Sequence, residues 1–87
     1  MYVIVVYDVE EKRVAKVLKY LRSYLNWVQN SVFEGEVTEG KYKEMEIGLK
    51  KKINIENDSV IIYQFEDESR VEKKIIGTEK GGTETML

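Results

Sequence analysis

The sequence predicts an α+β sandwich with the element order β-α-β-β-α-β, followed by a short extra strand at the C-terminal edge. Three observations carry that expectation. Two β-branched and aromatic runs, residues 2–7 (YVIVVY) and 59–65 (SVIIYQF), lie near opposite ends of the chain. Between them are two segments whose apolar residues recur at spacings of three and four, the period of a helix with one buried stripe. A third β-forming stretch separates those two segments.

The first run is almost unbroken in β-formers, which predicts a central strand buried on both faces. Asp8 interrupts it. From residue 10 to 25, Val14, Val17, Leu18, Leu21 and Leu25 form one stripe, and Lys12, Arg13, Lys16, Lys19 and Arg22 take the other faces. Most of these cations read as an ordinary solvated surface; the alternative is a basic rim beside a nucleic-acid backbone. Residues 27–37 (WVQNSVFEGEV) predict two short consecutive strands, or one kinked ribbon, with Gly35 as the bulge or bend. Thr38 caps a second helix with Glu39 in its first turn. Tyr42, Met45, Leu49 and Ile53 supply the inner face of that helix. Lys50, Lys51 and Lys52 fall near its C-terminus, where the helix dipole favours cations. Asn57 and Asp58 mark a turn before the second long strand. Residues 70–77 (RVEKKIIG) predict the extra edge strand, so that the domain spans 1–77. Residues 78–87 form a tail that frays unless a partner orders it.

Composition bounds the chemistry. The 87 residues form one small domain, with 43% apolar and 34% charged residues, as expected of a folded, soluble chain. No apolar run reaches the roughly 20 residues that span a bilayer, so no membrane partner is expected and the cytoplasm is the default compartment. Cysteine and histidine are both absent. That excludes disulfides, thiolate metal sites, a cysteine nucleophile and the commonest general base. The net charge of −2, from 14 basic and 16 acidic residues, gives no global pull on nucleic acid. Catalysis, if present, rests on carboxylates, hydroxyls, Lys, Arg or a hard metal ion.

Two helices on one face of an antiparallel sheet leave the other face uncovered. The apolar character of both long strands implies that this face is buried as well, and a second copy about a two-fold axis is the simplest cover. The predicted state is therefore a homodimer.

Asp8, a carboxylate at the end of a buried strand, is the most pointed candidate, and it supports two readings. Asp8-Val9-Glu10-Glu11 has the spacing of a capping box. Alternatively, a nearby two-fold axis brings up a second Asp8, and the pair binds Mg²⁺ or another hard divalent cation that polarises a phosphoryl group. The two roles compete for the same oxygens. Tyr7 points to the opposite face and reads as core. Arg13 opens the first helix within reach of a phosphate. Ser31 lacks an evident activating base. Phe33 reads as packing, with stacking on a base as the other option.

Two stretches carry a family resemblance. Residues 1–9 (MYVIVVYDV) followed by residues 12–18 (KRVAKVL) resemble the opening of the CRISPR-associated Cas2 family, where an aliphatic strand ends in Tyr-Asp and leads into a helix bearing Arg-Val. Residues 27–37 are similar to that family's second motif, Gln-x-Ser-Val-Phe-x-Gly, here Gln29 to Gly35. The resemblance covers about residues 1–77. It implies a ferredoxin-like homodimer that works with the CRISPR integrase subunit in spacer acquisition and binds DNA or RNA. It also implies Mg²⁺-dependent endonuclease activity on RNA or DNA, with Asp8 of each subunit as catalytic metal ligand and Arg13 as the best-matched basic residue. Tyr7, Arg13, Ser31 and Phe33 are the candidate nucleic-acid contacts read from the residues themselves. Some members carry Arg just before the second motif, where this chain has Trp27. A purely architectural dimer without catalysis is the alternative.

Overall fold

The computed structural model describes residues 1–81. Strand β1 (Tyr2–Asp8) is followed by helix α1 (Glu11–Arg22), β2 (Asn26–Gln29), β3 (Val32–Glu36), helix α2 (Glu39–Lys52) and β4 (Ser59–Phe65). The strands form one antiparallel sheet in the order β2-β3-β1-β4, the ferredoxin-like arrangement of the expected β-α-β-β-α-β order.

Strand alternation decides the core. Val3, Val5 and Tyr7 of β1 project to the helical side with Phe33 of β3, and all four are buried with Val17 and Leu21 of α1 and Met45 and Leu49 of α2. The helices approach closely because residue 48 is Gly. A Cβ there would lie 1.9 Å from the Tyr20 hydroxyl oxygen, which donates to the backbone carbonyl of Glu44 at 3.1 Å. Tyr24 in turn donates to Glu44 Oε2 at 2.8 Å, tying α1 to α2 on the solvent side.

The two helices begin differently. Thr38 caps α2 as expected, its hydroxyl accepting from the Lys41 amide at 3.1 Å. Helix α1 begins at Glu11 with Glu10 in the N-cap position and no cap from that side chain. Asp8 lies within β1, too far back along the extended chain to close a capping box. Its capping reading is thereby corrected.

Two further expectations change. The irregularity in the ribbon falls between Trp27 and Gln29, at Val28, rather than at Gly35. Gly35 stays in register with Val3, where a Cβ would press on Leu25 at 3.2 Å. Residues 70–77 form no strand within the chain. Asp67 accepts from the Ser69 amide at 3.0 Å and starts a 3-10 turn, Glu68–Arg70, which carries the chain off the β4 line. The following residues then cross towards β3 and β2. Lys73 pairs with Glu34 of β3, and Gly81 lies against the Trp27 and Val28 carbonyls, where a Cβ would come within 2.1 Å of an oxygen. Of the tail, residues 82–87 lie outside the described residues.

Among the described residues, no helix covers the second face of the sheet. Ile4 and Val6 of β1 are half-buried there, and their cross-strand partners Tyr63 and Ile61 are 51% and 48% exposed. As the strand pattern implied, an apolar face is left open.

Candidate functional site

Asp8 ends β1 on the open face, in line with Ile4 and Val6, and is paired in register with Ser59 of β4. It is exposed, and among the described residues its carboxylate accepts no hydrogen bond. Of the two readings, the structure leaves it free for an external ligand.

Around it, Tyr7, Asp8, Val9, Val14, Leu18, Asn30 and Ser31 line an open concavity of about 370 Å³. The polar part is Asp8, Asn30 and Ser31. The latter two form the turn between β2 and β3, and Asn30 adopts φ 44°, a left-handed conformation that Asn tolerates better than most residues. That turn is anchored on both sides. The Tyr7 amide donates to the Ser31 carbonyl at 3.1 Å, and the Trp27 indole N–H donates to the Asn30 carbonyl at 2.9 Å. Trp27 therefore serves the turn.

Tyr7 and Phe33 are core residues. Phe33 is fully buried and its ring stacks on Tyr7 with centroids 6.2 Å apart. Neither ring is available to a base, which corrects their assignment as nucleic-acid contacts. Burial pushes the Tyr7 hydroxyl above its ordinary pKa, with Arg22 pulling partly back, so it stays protonated at neutral pH.

Arg13 is held by carboxylates of its own chain. Its Nε donates to Asp58 Oδ2 at 2.6 Å, and its Nη2 donates to Asp58 Oδ1 at 3.0 Å and to Glu10 Oε1 at 2.7 Å. The guanidinium fork is committed to two carboxylates, which leaves little for a phosphate. Asp58, in turn, also accepts from the Glu10 amide at 2.9 Å and the Asn54 amide at 2.8 Å. The Arg13 hydrogen bonds, reinforced by those amides, hold its carboxyl well below the usual carboxylate range despite some desolvation. Sequence reasoning saw Asn57-Asp58 only as a turn. The one available signal was an acid immediately before a strand, and two of its three partners lie 45 and 48 residues away.

A hard cation fits this donor set only in part. Asp8 supplies an unengaged carboxylate, but among the described residues no group of three acidic or other metal-ligating side chains comes together. Asp8 is the one carboxylate that lines this concavity among the described residues.

The fold and the acid at the end of its first strand define a class of small ferredoxin-like α+β proteins, and comparison with known proteins identifies the family. The family model described as CRISPR associated protein Cas2 matches residues 1–73. Proteins named CRISPR-associated endoribonuclease Cas2 from Pyrococcus furiosus and Methanothermobacter thermautotrophicus are 51% and 47% identical over 87 residues. All of this chain is covered in both cases, with 100% and 96% of the relative. A similarly named Thermotoga maritima protein is 49% identical over 81 residues, covering 93% of each chain. A solved Cas2 crystal structure matches with a TM-score of 0.85 and 48% identity, covering 92% of this chain and 90% of that one. Cas2 of Streptococcus pyogenes matches at 0.73 and 34%, with coverage of 85% and 99%. The chain belongs to the CRISPR-associated Cas2 family. Among the described residues, no helix is long and apolar enough to cross a membrane.

Proposed function

We propose that this protein acts in the cytoplasm as a homodimer in CRISPR spacer acquisition, binding nucleic acid together with the integrase subunit, and that it cleaves phosphodiester bonds of RNA or DNA through paired Asp8 carboxylates. The observation that carries this reading is the position of Asp8. An exposed, unengaged carboxylate continues the same strand face as Ile4, Val6, Ile61 and Tyr63. Joining two such faces about a two-fold axis removes the exposed apolar residues from water and brings the two Asp8 strand ends towards that axis. The names of the relatives, endoribonucleases, support the choice of chemistry.

In this reading Asp8 of each subunit holds a hard divalent cation such as Mg²⁺. When bound, that ion supplies Lewis-acid polarisation of a phosphoryl oxygen and acidifies water, chemistry that needs no histidine. Asn30 and Ser31, at the rim of the concavity, present polar groups towards the same opening. Tyr7 and Phe33 contribute from beneath by keeping the strand end rigid.

The test compares Mg²⁺-dependent cleavage of RNA and duplex DNA by wild type and Asp8→Asn. A fall of about 100-fold or more is expected, the scale seen when a group stabilising transition-state charge is lost, with the dimer intact. Equal rates would remove Asp8 from the chemistry. The second reading, an architectural dimer that binds DNA and the integrase without catalysis, is favoured by the absence of a complete ligand cluster within the described residues. Spacer integration separates the two. The architectural reading predicts wild-type integration by Asp8→Asn, and loss of integration with fold and complex preserved would defeat it.

A further inference from the structure

The Asp8 carboxylate accepts no hydrogen bond among the described residues, so its placement depends on its backbone. That backbone is gripped through a second acid. Asp58 immediately precedes Ser59, the cross-strand partner of Asp8. Its Oδ1 also accepts from the Glu10 amide, two residues beyond Asp8, at 2.9 Å. Oδ2 accepts from the Asn54 amide, at the end of α2, at 2.8 Å. Arg13 of α1 closes the arrangement with Nε on Oδ2 and Nη2 on Oδ1.

The Asp58 side chain has no exposed surface, and the Arg13 side chain is only 13% exposed. Each Asp58 oxygen accepts from one backbone amide and one guanidinium nitrogen, which uses its lone pairs. The carboxylate thus binds the amide of Glu10, the N-cap residue of α1, whose own side chain makes no cap. It also pins the end of β1, the start of α1, the end of α2 and the start of β4 to one point.

We infer that Asp58, fixed by Arg13, is a positioning residue for Asp8. This inference rests on the reading of Asp8 proposed above. Arg13 acts through Asp58 and not as a phosphate ligand. Neither residue touches substrate; together they hold the Asp8 strand end at the spacing a shared cation requires. Misplacement of a catalytic group by about 1 Å is enough to cost about 10²-fold in rate.

The experiment measures Mg²⁺-dependent cleavage of single-stranded RNA by the full-length dimer carrying Asp58→Asn, Arg13→Ala, both together, or Arg13→Lys. Positioning predicts that kcat falls about 10- to 100-fold in each. KM for RNA stays near wild type, and the double variant is no worse than the more affected single variant. Arg13→Lys falls as well, because an ammonium cannot make the two-pronged contact. A phosphate-binding Arg13 predicts the opposite pattern. Arg13→Ala would raise KM and flatten its salt dependence, Arg13→Lys would retain activity, and Asp58→Asn would lower KM by releasing the guanidinium. That pattern overturns the inference.

Asp8→Asn is run alongside. If it is inactive while Asp58→Asn turns over like wild type, positioning alone fails. If Asp8→Asn is itself active, the reading of Asp8 fails and takes the inference with it. Backbone amide exchange gives a readout apart from turnover, taken where every variant is folded. Exchange at Glu10 and Ser59 is expected to quicken by about 10-fold or more in Asp58→Asn, with the β1–β3 pairing unchanged. Unaltered exchange at both amides overturns the inference. Should Asp58→Asn fail to fold, Arg13→Lys carries the same comparison.

Discussion

The two faces of the sheet are built from the same strands and nearly the same residue types, yet they meet opposite fates. On one face Val3, Val5, Tyr7 and Phe33 are sealed beneath Val17, Leu21, Met45 and Leu49. On the other, Ile61 and Tyr63 remain about half exposed beside the half-buried Ile4 and Val6. Two helices suffice for one layer, and on the open face Lys73 and Gly81 reach β3 and β2. The difference teaches that apolar strand patterning here makes two apolar faces, of which the chain covers one, and the proposed dimer would cover the other. Phe33→Ala tests the completed interface. Removing a fully buried aromatic ring costs about 3–5 kcal/mol, a large share of the 5–15 kcal/mol that typically holds a domain together. Denaturant midpoints at constant slope are the measure. A loss under about 1 kcal/mol would mean that the sealed face is not where stability resides.

Ile61→Asp tests the unfinished interface and is expected to perturb the folded chain less. An exposed site tolerates a charge within about 0.5 kcal/mol in the isolated chain, whereas an aspartate placed between two sheets leaves a desolvated charge unpaired. Sedimentation should therefore show wild type as a dimer and Ile61→Asp as a folded monomer at the same concentration. A variant that remains dimeric would place the subunit contact elsewhere and separate the Asp8 pair from the symmetry axis. A variant that unfolds would show that folding of the chain depends on covering this face.

Elements whose cause is local were legible in the sequence. The β1 run, the stripe of α1, Thr38 as a cap and the open second face all follow from residues within a few positions of one another. The Arg13–Asp58 fixture was not, because its partners are 45 residues apart and neither forms part of a periodic pattern. The same limit misled the capping reading of Asp8. The spacing to Glu11 fits a capping box, but β1 continues through Asp8 to pair with Ser59, and the start of α1 is served from across the chain. Phe33 and Tyr7 were kept as candidate contacts beside a reading as core, and the core reading is the one that burial bears out. The C-terminal edge strand failed for a local reason that pattern reading passed over, since Asp67-Glu68-Ser69 turns the chain before Val71.

The smallest expected effect compares the two helix starts. Thr38→Ala removes the hydroxyl that accepts from the Lys41 amide and should lower stability by about 1 kcal/mol. A hydroxyl does not titrate in the acid range, so that decrement should be equal at pH 7 and pH 3. The start of α1 behaves differently because its acceptor is a carboxylate. The folded protein holds Asp58 below its unfolded pKa of about 3.9. Its contribution is therefore fully present above that value and drains away as the pH falls through the folded one. Acid titration of wild type and Thr38→Ala should give parallel curves offset by a constant amount, and Asp58→Asn should flatten the acid limb in either background. If the Thr38→Ala decrement itself grew on acidification, the two helix starts would be coupled, and Asp58 would not be confined to the corner that carries Asp8.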